Sequence, residues 1–394
     1  MKGTDIVLIE GARTPFTRFC GSFRDISAID LAVIAAKEAM AKSKVESGEV
    51  DHVVFGNVIQ SSPDAVFFAR HVSLKAGVPV HVPALTVNRL CGSGLEAITS
   101  AARLILTGDS RAVLAGGAEN MSQIPHVVRG ARTGLALGAA PMQDYLWESL
   151  YDSYGDCTMS GTGENVASRY GISREEADEH AYNSHRKAVK AMESGVLQEE
   201  IVPVPVAEKK STRLVDRDEH PRADTSREAL AKLKPAFKQG GVITAGNASG
   251  INDGGAAVIV ASAEYAAARG LKPIARLVSW SATGVDPKYM GIGPISAIRQ
   301  ALQKAGMTIA DLDLIEINEA FSTQYLACQM ELGFDPTIGN VNGGAVALGH
   351  PLGASGTRIV LALLYELGRR KKKYGATSVC IGGGQGIAAI WERL

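Results

Sequence analysis

Short runs of β-branched and apolar residues alternate along the chain with segments of helical periodicity, and Gly, Pro or Asn marks the boundaries. Such alternation is typical of an α/β protein. In the first half of the chain it predicts strands at residues 6–9, 53–55, 84–87 and 112–115 and helices at 28–41, 65–75 and 93–107. In the second half it predicts strands at 275–280, 312–317, 338–341 and 378–381 and helices at 295–304, 321–332 and 352–367.

The two halves share one order of elements. Their landmarks lie about 260 residues apart and pair as follows: Asn57 with Asn318, Cys91 with His350, and Gly116 with Gly382. These nearly equal spacings indicate an ancient duplication. A last strand at 256–260 matches one at 387–390, but a long, charge-rich stretch precedes the first of them. We therefore predict an inserted loop domain at 121–250, an N-terminal half formed by 1–120 and 251–270, and a C-terminal half at 271–394.

The helices predicted after Cys91 and His350 are apolar on nearly every side. A helix without a polar face must be covered all round. We therefore predict that two sheets pack with these two helices between them, which gives a five-layered αβαβα architecture. The same arrangement brings Cys91 and His350, each at the N-terminal end of a central helix, into one region.

Composition excludes several classes of function. The chain carries 41 basic and 41 acidic side chains, so no long-range field recruits a nucleic acid. Its 5 cysteines lie far apart and match neither a disulfide framework nor a paired metal motif. No apolar stretch approaches the length of a transmembrane helix, and the start of the chain runs directly into a predicted strand. We expect a cytoplasmic protein with no metal centre and no membrane or nucleic-acid partner.

Cys91 ends a predicted strand and is followed by Gly92, Ser93, Gly94 and a helix. The glycines let the backbone turn sharply, and a helix N-terminus favours a thiolate and lowers the pKa of a cysteine. His350 lies in a second glycine-rich entry to a helix. A thiol that faces an imidazole is an activated nucleophile. The ordinary alternatives are a small buried cysteine and a core histidine.

Two further motifs end strands of the second half. Cys380 precedes a glycine-rich turn that includes Gly382, whose free N–H groups could form an oxyanion hole. The alternative is a glycine hairpin with a buried cysteine. Asn318 closes another strand and could supply a polar group to the same cavity, although an ordinary helix cap is an equal alternative.

Two other classes of function compete with an enzyme built on Cys91. Residues 92–97 match a dinucleotide-binding pattern between a strand and a helix, with Glu119 after the next strand, as in a dehydrogenase. That class does not explain the cysteine before the first glycine or the second copy with a histidine. A non-catalytic ligand-binding protein on the same fold leaves unexplained why two cysteines, a histidine and an asparagine all occur at glycine-lined ends of elements.

The motifs at 88–94, 318–321, 349–356 and 380–386 resemble the four signature blocks of the thiolases, in the family's order and spacing. Residues 11–16 and 244–250 fit the same family, so the resemblance covers the whole chain. It implies a reaction on coenzyme A thioesters, with coenzyme A as a substrate and no permanently bound cofactor. Thiolases cleave a 3-ketoacyl-CoA to acetyl-CoA and a shortened acyl-CoA, or condense two acetyl-CoA molecules.

The resemblance also implies roles for individual residues. His350 would take the proton of Cys91, which attacks the 3-keto carbon and becomes acylated. Cys380 would protonate the acetyl-CoA enolate in cleavage, or generate it in synthesis. His350 and a water held by Asn318 would stabilise the enolate oxygen, and the backbone N–H groups of Cys91 and Gly382 would hold the thioester oxygen.

In this family the inserted loop domain carries much of the coenzyme A pocket. The matching positions here are Leu150, Met159, Arg222, Phe237, Ala245, Ser249 and Ala320. Arg222 would contact the nucleotide end, the apolar residues and Ser249 would line the pantetheine tunnel, and Met290 resembles a residue of the acyl pocket. Because family members are dimers or tetramers, we expect a homo-oligomer.

One position departs from a subgroup of the family. Biosynthetic acetoacetyl-CoA thiolases often carry a histidine just before the methionine of the loop block, whereas Thr158 stands there in this chain. We therefore expect short to medium 3-ketoacyl-CoA substrates, as in fatty-acid β-oxidation, with an acetoacetyl-CoA-specific biosynthetic enzyme as the alternative.

Overall fold

The computed structural model of the chain describes residues 3–138 and 141–394. Its strands, in chain order, are β1 Ile6–Arg13, β2 Thr17–Arg18, β3 His52–Gly56, β4 Ala84–Val87, β5 Ala112–Asn120, β6 His126–Val127, β7 Gln143–Asp144, β8 Tyr151–Asp152, β9 Cys157–Thr158, β10 Val204–Ala207, β11 Thr212–Val215, β12 Asn252–Ser262, β13 Ala275–Gly284, β14 Leu314–Ile317, β15 Tyr374–Ile381 and β16 Gln385–Arg393. Its helices are α1 Ala28–Ser43, α2 Phe68–Lys75, α3 Ser93–Leu106, α4 Tyr145–Ser149, α5 Met159–Tyr170, α6 Arg174–Glu193, α7 Arg227–Ala231, α8 Ala263–Ala268, α9 Gly293–Ala305, α10 Ser322–Leu332, α11 Ala345–Leu348 and α12 Leu352–Arg370.

The main sheet has the strand order β14-β15-β16-β13-β1-β12-β5-β3-β4, with β2 paired to β12. The β3 strand runs parallel to β4 and β5, and β14 runs parallel to β15, whereas the remaining neighbours are antiparallel. The strands of the two halves of the chain meet only at β1 and β13, where Val7 pairs with Arg276 and Leu8 with Ala275. The two predicted sheets are therefore hydrogen-bonded to each other at this short seam.

The predicted strand at 338–341 is wrong. Only one bridge forms there, between Ile315 and Gly339, and Asn340 takes a left-handed φ of 40°. The Asn340 side chain accepts from the Ile317 N–H and donates to the Ile317 C=O, both at 2.9 Å. A side-chain amide thus occupies the hydrogen-bonding groups that a further strand would use.

Alternation along the strands separates three apolar clusters. On β1, Val7 and Ile9 face α1 and α2, whereas Ile6 and Leu8 face the central helices α3 and α12. A third cluster joins α9 and α10 to β14, β15 and β16. Because successive strand residues point to opposite faces, each half of the sheet is covered on both sides. The layers are α1 with α2, one half-sheet, α3 with α12, the other half-sheet, and α9 with α10, which confirms the five-layered fold.

The two central helices touch at glycines in their first turns. A Cβ on Gly94 would lie 2.7 Å from the Thr357 nitrogen, and one on Gly356 would overlap the Leu95 nitrogen. The Thr357 hydroxyl donates to the Gly94 carbonyl at 3.1 Å. Backbone-to-backbone contact of this kind requires residues without a side chain. This contact between α3 and α12 lies a few residues after Cys91 in the first half of the chain and a few residues after His350 in the second.

A buried arginine attaches the segment between β5 and β12 to the sheet. Arg13 of β1 contacts Glu200 at 2.7 Å and binds Asp218 with both terminal nitrogens, at 2.7 and 2.9 Å. Burial alone would lower the pKa of Arg13, but Asp218 and Glu200 raise it, so the guanidinium stays charged. The division of the chain into an inserted domain at 121–250 and two halves remains a prediction. Residues 1–2 of the predicted N-terminal half and residues 139–140 of the predicted inserted domain lie outside the described residues.

We expect two alanine substitutions in α12 to act in opposite directions. Gly356→Ala should lower the free energy of unfolding by about 1–3 kcal/mol, because its Cβ forces the central helices apart. Gly368→Ala is the matched control, because no described atom lies within 4 Å of its Cβ; it should raise that free energy by about 0.5–1 kcal/mol. Denaturant unfolding of both variants checks this, and equal effects would contradict the packing described.

Candidate active site

Cys91 lies at a tight elbow between β4 and α3. Leu90, just before it, has a left-handed φ of 46°, which is unusual for a leucine and indicates local strain. The Leu90 N–H donates to the Asn88 side chain at 2.9 Å, and the Arg89 N–H donates to the Ser93 hydroxyl at 2.9 Å. These side-chain acceptors hold the turn, so that Cys91 is presented at the start of the central helix.

The thiol of Cys91 is desolvated and faces backbone donors. Burial raises the pKa of Cys91 to about 11, although the N–H groups of Gly382 and of Cys91 itself act in the opposite direction and Glu119 adds to the rise. The predicted lowering of this pKa is therefore wrong, because loss of solvation outweighs the backbone N–H groups that favour the thiolate. At neutral pH Cys91 is a thiol and needs a base.

His350 is held in one neutral form. Its Nδ1 lies 2.6 Å from the Ser355 hydroxyl, which donates to the Pro351 carbonyl at 2.8 Å. Since that hydroxyl has one proton, the imidazole donates from Nδ1 and keeps a lone pair on Nε2. Burial, followed by the positive charge of Arg358, lowers the pKa of His350 to about 3. The ring is thus a neutral base at physiological pH.

Asn318 lies beside this base. Its Nδ2 is 3.3 Å from the His350 Nε2, and its backbone N–H donates to the Ser378 carbonyl at 2.9 Å. No described protein group donates to its buried Oδ1. The helix-cap alternative for Asn318 is wrong, because α10 begins only at Ser322 and Phe321 is its N-cap.

Cys380 and Gly382 complete this group at the end of β15. Cys380 is fully buried in a cluster with Met159, Met290 and Ala320. Burial raises the pKa of Cys380 well above its ordinary value, and the neighbouring Cys91 thiol raises it further. A Cβ on Gly382 would lie 3.1 Å from the Met159 sulfur. The structure therefore brings all five predicted catalytic residues into one corner of the fold.

The predicted coenzyme A residues extend outward from that corner. Met159 and Ala320 belong to the Cys380 cluster, and the Ser249 N–H donates to the Ala320 carbonyl at 2.9 Å. The Leu150 carbonyl accepts from the Met159 N–H at 2.8 Å. The outer positions are more exposed and comprise Ala245, Arg222 and Phe237, whose ring stacks on Trp147 at a centroid distance of 6.5 Å.

The residues that hold the two elbows together were not predicted from the sequence. Glu119 accepts from the backbone N–H groups of Ile59 and Gly353 at 3.0 and 2.9 Å, and so joins the first half to the start of α12. Asn252 accepts from the His350 N–H at 3.1 Å. The only sequence signal was the position of Glu119 after the strand predicted at 112–115, and we considered it there for a dinucleotide-binding site.

Glu319 plays the same part for the Asn318 loop. It accepts from Ser184 of α6 and from Asn340, both at 2.8 Å, and lies 3.2 Å from His180. Burial alone would raise the pKa of Glu319, but His180 and these donors lower it to about 2. The Glu319 carboxylate therefore joins helix α6 to the loop that carries Asn318.

Two cavities lie away from the predicted catalytic residues. The first, of about 940 Å³, lies between α6 and α10. The second, of about 480 Å³, includes the predicted coenzyme A residue Phe237. In the described parts of the chain no three His, Cys, Asp or Glu side chains cluster as metal ligands, and no helix there has the length and apolar character to cross a membrane.

Comparison with known proteins identifies the family. The profile described as "Thiolase, N-terminal domain" matches residues 6–264, and "Thiolase, C-terminal domain" matches residues 271–393. The chain therefore belongs to the thiolase family, as the motifs predicted. The dinucleotide-binding alternative receives no support from these matches.

Three similar proteins match almost the whole chain. Beta-ketothiolase BktB of Cupriavidus necator is 46% identical over 391 residues, which cover 99% of each chain. The acetyl-CoA acetyltransferase of Pseudomonas aeruginosa is 48% identical over 391 residues, again 99% of each. The crystal structure of human mitochondrial 3-ketoacyl-CoA thiolase in complex with CoA superposes with a TM-score of 0.96 at 47% identity, covering 99% of this chain and 98% of that one.

We expect alkylation of Cys91 by iodoacetamide to accelerate about tenfold per pH unit between pH 6 and 9. The reason is that the thiolate reacts, and its fraction grows tenfold per unit below a pKa of about 11. Peptide mass spectrometry gives the rate at each cysteine, and Cys91→Ser identifies the signal. A rate that is already constant at pH 6–7 would instead indicate a preformed thiolate–imidazolium pair.

Proposed function

We propose that this thiolase catalyses the reversible, coenzyme A-dependent cleavage of 3-ketoacyl-CoA through an acyl group on Cys91. One observation carries the proposal: the Cys91 thiol lies near the backbone N–H groups of Gly382 and of Cys91 itself, which favour its thiolate, and beside the thiol of Cys380. Two backbone donors at a nucleophile are the arrangement that holds a developing oxyanion. A second thiol next to them supplies a proton donor for carbon.

In the first half-reaction the His350 Nε2 takes the proton of Cys91, and the sulfur attacks the 3-keto carbon. The bond between the second and third carbons breaks, and its electron pair forms the enolate of acetyl-CoA. The Cys380 thiol gives its proton to the second carbon of that enolate, which releases acetyl-CoA. The proton on His350 then returns to Cys380, so both groups regain their starting form.

In the second half-reaction His350 takes the proton of an incoming coenzyme A thiol. The resulting thiolate attacks the acyl group on Cys91, whose carbonyl oxygen is held by the two N–H groups. Cys91 leaves and recovers the proton from His350, so the net products are acetyl-CoA and an acyl-CoA shortened by two carbons. A base that is neutral and oriented, as His350 is, serves both steps.

The enolate oxygen needs its own donors. We assign them to protonated His350 and to a water on the open Oδ1 of Asn318, whose Nδ2 is already directed at His350. The site is buried, so such hydrogen bonds act at low dielectric and are stronger than in water. This is the role that Asn318 would play in either direction of the reaction.

We place coenzyme A along Leu150, Met159, Phe237, Ala245, Ser249 and Ala320, with Arg222 at the nucleotide end. Met290, buried in the Cys380 cluster, would limit the acyl chain. The names of the similar proteins include 3-ketoacyl-CoA thiolase and acetyl-CoA acetyltransferase, and Thr158 leads us to favour short to medium 3-ketoacyl chains. We expect no permanently bound cofactor.

We also propose a homo-oligomer, a dimer or tetramer, in the cytoplasm. Strand β4 forms the edge of the sheet, and Leu85 on it is exposed, as are Phe67 and Val80 nearby in the chain. An exposed apolar edge strand favours pairing with a second chain. The five cysteines, at positions 20, 91, 157, 328 and 380, are unpaired thiols in this structure, which suits a reducing compartment.

Cys91→Ser should abolish thiolysis, with a loss of at least about a thousandfold in kcat, because a hydroxyl is a far weaker nucleophile than a thiol at neutral pH. The measurement is the loss of the 3-ketoacyl-CoA enolate absorbance with free coenzyme A, over a series of chain lengths. Unfolding of the variant in denaturant should match wild type. Retention of most activity would remove Cys91 from the mechanism, and the length series separates a broad enzyme from an acetoacetyl-CoA-specific one.

Cys380→Ser should affect the two half-reactions unequally. Carbon–carbon cleavage needs the proton of Cys380, whereas acyl transfer between acetyl-CoA and Cys91 does not. We expect cleavage to fall by about a hundredfold or more, the usual size of an acid–base contribution, with acetylation of Cys91 near the wild-type rate. Mass spectrometry of the acetyl-enzyme checks the second rate. An equal loss of both would mean that Cys380 has a structural role.

A further inference from the structure

Arg222 lies in an exposed segment that is held at two points, first through the Asp218 side chain and then through the Arg222 backbone N–H. At the first point, Asp218 is bound by Arg13 and also accepts from the Phe16 N–H at 2.7 Å. At the second point, the Arg222 N–H donates to Nδ1 of His185 on α6 at 3.2 Å. Within the described residues no carboxylate forms an ion pair with the Arg222 guanidinium, so the charge is available to an anion from solution.

The surroundings of His185 keep its Nδ1 available as the acceptor of that hydrogen bond. Its side chain is buried, with 4% of its surface exposed, and its ring stacks on His220 at 6.3 Å. Burial, followed by the neighbouring His220 and Arg222, lowers the pKa of His185 to about 4, against the opposing effect of Glu319 and Asp224. The ring is therefore neutral at physiological pH, with the proton on Nε2 and a lone pair on Nδ1.

His220 extends the same contact toward the catalytic histidine. Its ring packs on Gly250, where a Cβ would overlap the imidazole. Asn252, two residues later, holds the His350 N–H. The stacked pair of His185 and His220 thus joins α6 to Gly250, two residues before Asn252.

We propose that His185 is a positioning residue for coenzyme A: its Nδ1 fixes the main chain at Arg222 and so directs the guanidinium at a phosphate group of the nucleotide end. The proposal rests on the function proposed above. Removing the acceptor leaves the Arg222 N–H unpaired, and this segment must then shift to find another partner. This phosphate is either the 3′-phosphate or part of the diphosphate of coenzyme A. A comparison of coenzyme A with an analogue that lacks the 3′-phosphate distinguishes the two.

The test compares His185→Leu with His185→Asn, which are matched in size. Asparagine places an acceptor oxygen where Nδ1 lies, and leucine does not. We expect the KM for coenzyme A to rise about tenfold in His185→Leu, the cost of one lost hydrogen bond, and to stay within about threefold of wild type in His185→Asn. The kcat and the KM for pantetheine, which lacks the nucleotide and its phosphates, should not change.

Dephospho-coenzyme A, which lacks only the 3′-phosphate, assigns the contact. An unchanged KM for it in His185→Leu points to the 3′-phosphate, and a tenfold rise points to the diphosphate; either result supports the proposal. Equal values for the leucine and asparagine variants would overturn it. A rise for pantetheine as large as that for coenzyme A would also overturn it, because the effect would then be a general distortion.

Equilibrium binding separates this inference from the proposed reaction. In a Cys91→Ala background, calorimetry should show a Kd for coenzyme A about tenfold weaker with leucine than with asparagine at 185, whether or not the wild type cleaves 3-ketoacyl-CoA. Adding Arg222→Ala should remove that difference, and its persistence would overturn the proposal. If His185→Leu does not fold, His185→Gln replaces it, since glutamine places its amide at the Nε2 position instead.

Discussion

Contact between the first turns of α3 and α12 is the constraint on which the site depends. Gly94 and Gly356 let the two backbones touch, and Gly117 and Gly353 do the same between β5 and α12. Any side chain at these points would displace one central helix from the other. Since Cys91 and His350 each lie just before these helices, the relative position of the proposed nucleophile and base follows from backbone packing. Glu119 then holds the start of α12 against the first half of the chain, because it accepts hydrogen bonds from both.

Burial determines the charge states at this contact. It raises the pKa of Cys91 to about 11 and lowers that of His350 to about 3, so the resting pair is a neutral thiol and a neutral imidazole. Proton transfer between them is unfavourable in the free enzyme and requires the substrate oxygen to receive the developing charge. In the proposed mechanism the N–H groups of Cys91 and Gly382 are then most effective in the transition state, where catalysis benefits from them.

Much of this architecture could be predicted from the chain because apolar patterns and the repeated order of motifs are local signals. The strand predicted at 338–341 failed because the side chain of Asn340 replaces its partner, which no pattern of apolar residues reveals. The predicted direction of the Cys91 pKa shift was wrong, because the sequence reveals the helix that follows Cys91 but not the depth at which the thiol is buried. Asn252 and Ser355 were missed because their contacts with His350 depend on distances in three dimensions.

The pairing of β5 with β12 also bears on how such enzymes diversify. These strands run side by side over nine residue pairs, and the last of them joins Asn120 to Asp253. The two ends of the intervening segment therefore leave the sheet at adjacent positions. Residues between those ends can change in number and sequence without altering the register of the sheet. Evolution can thus exchange this segment, which we propose forms much of the coenzyme A pocket, while Cys91 and His350 keep their places.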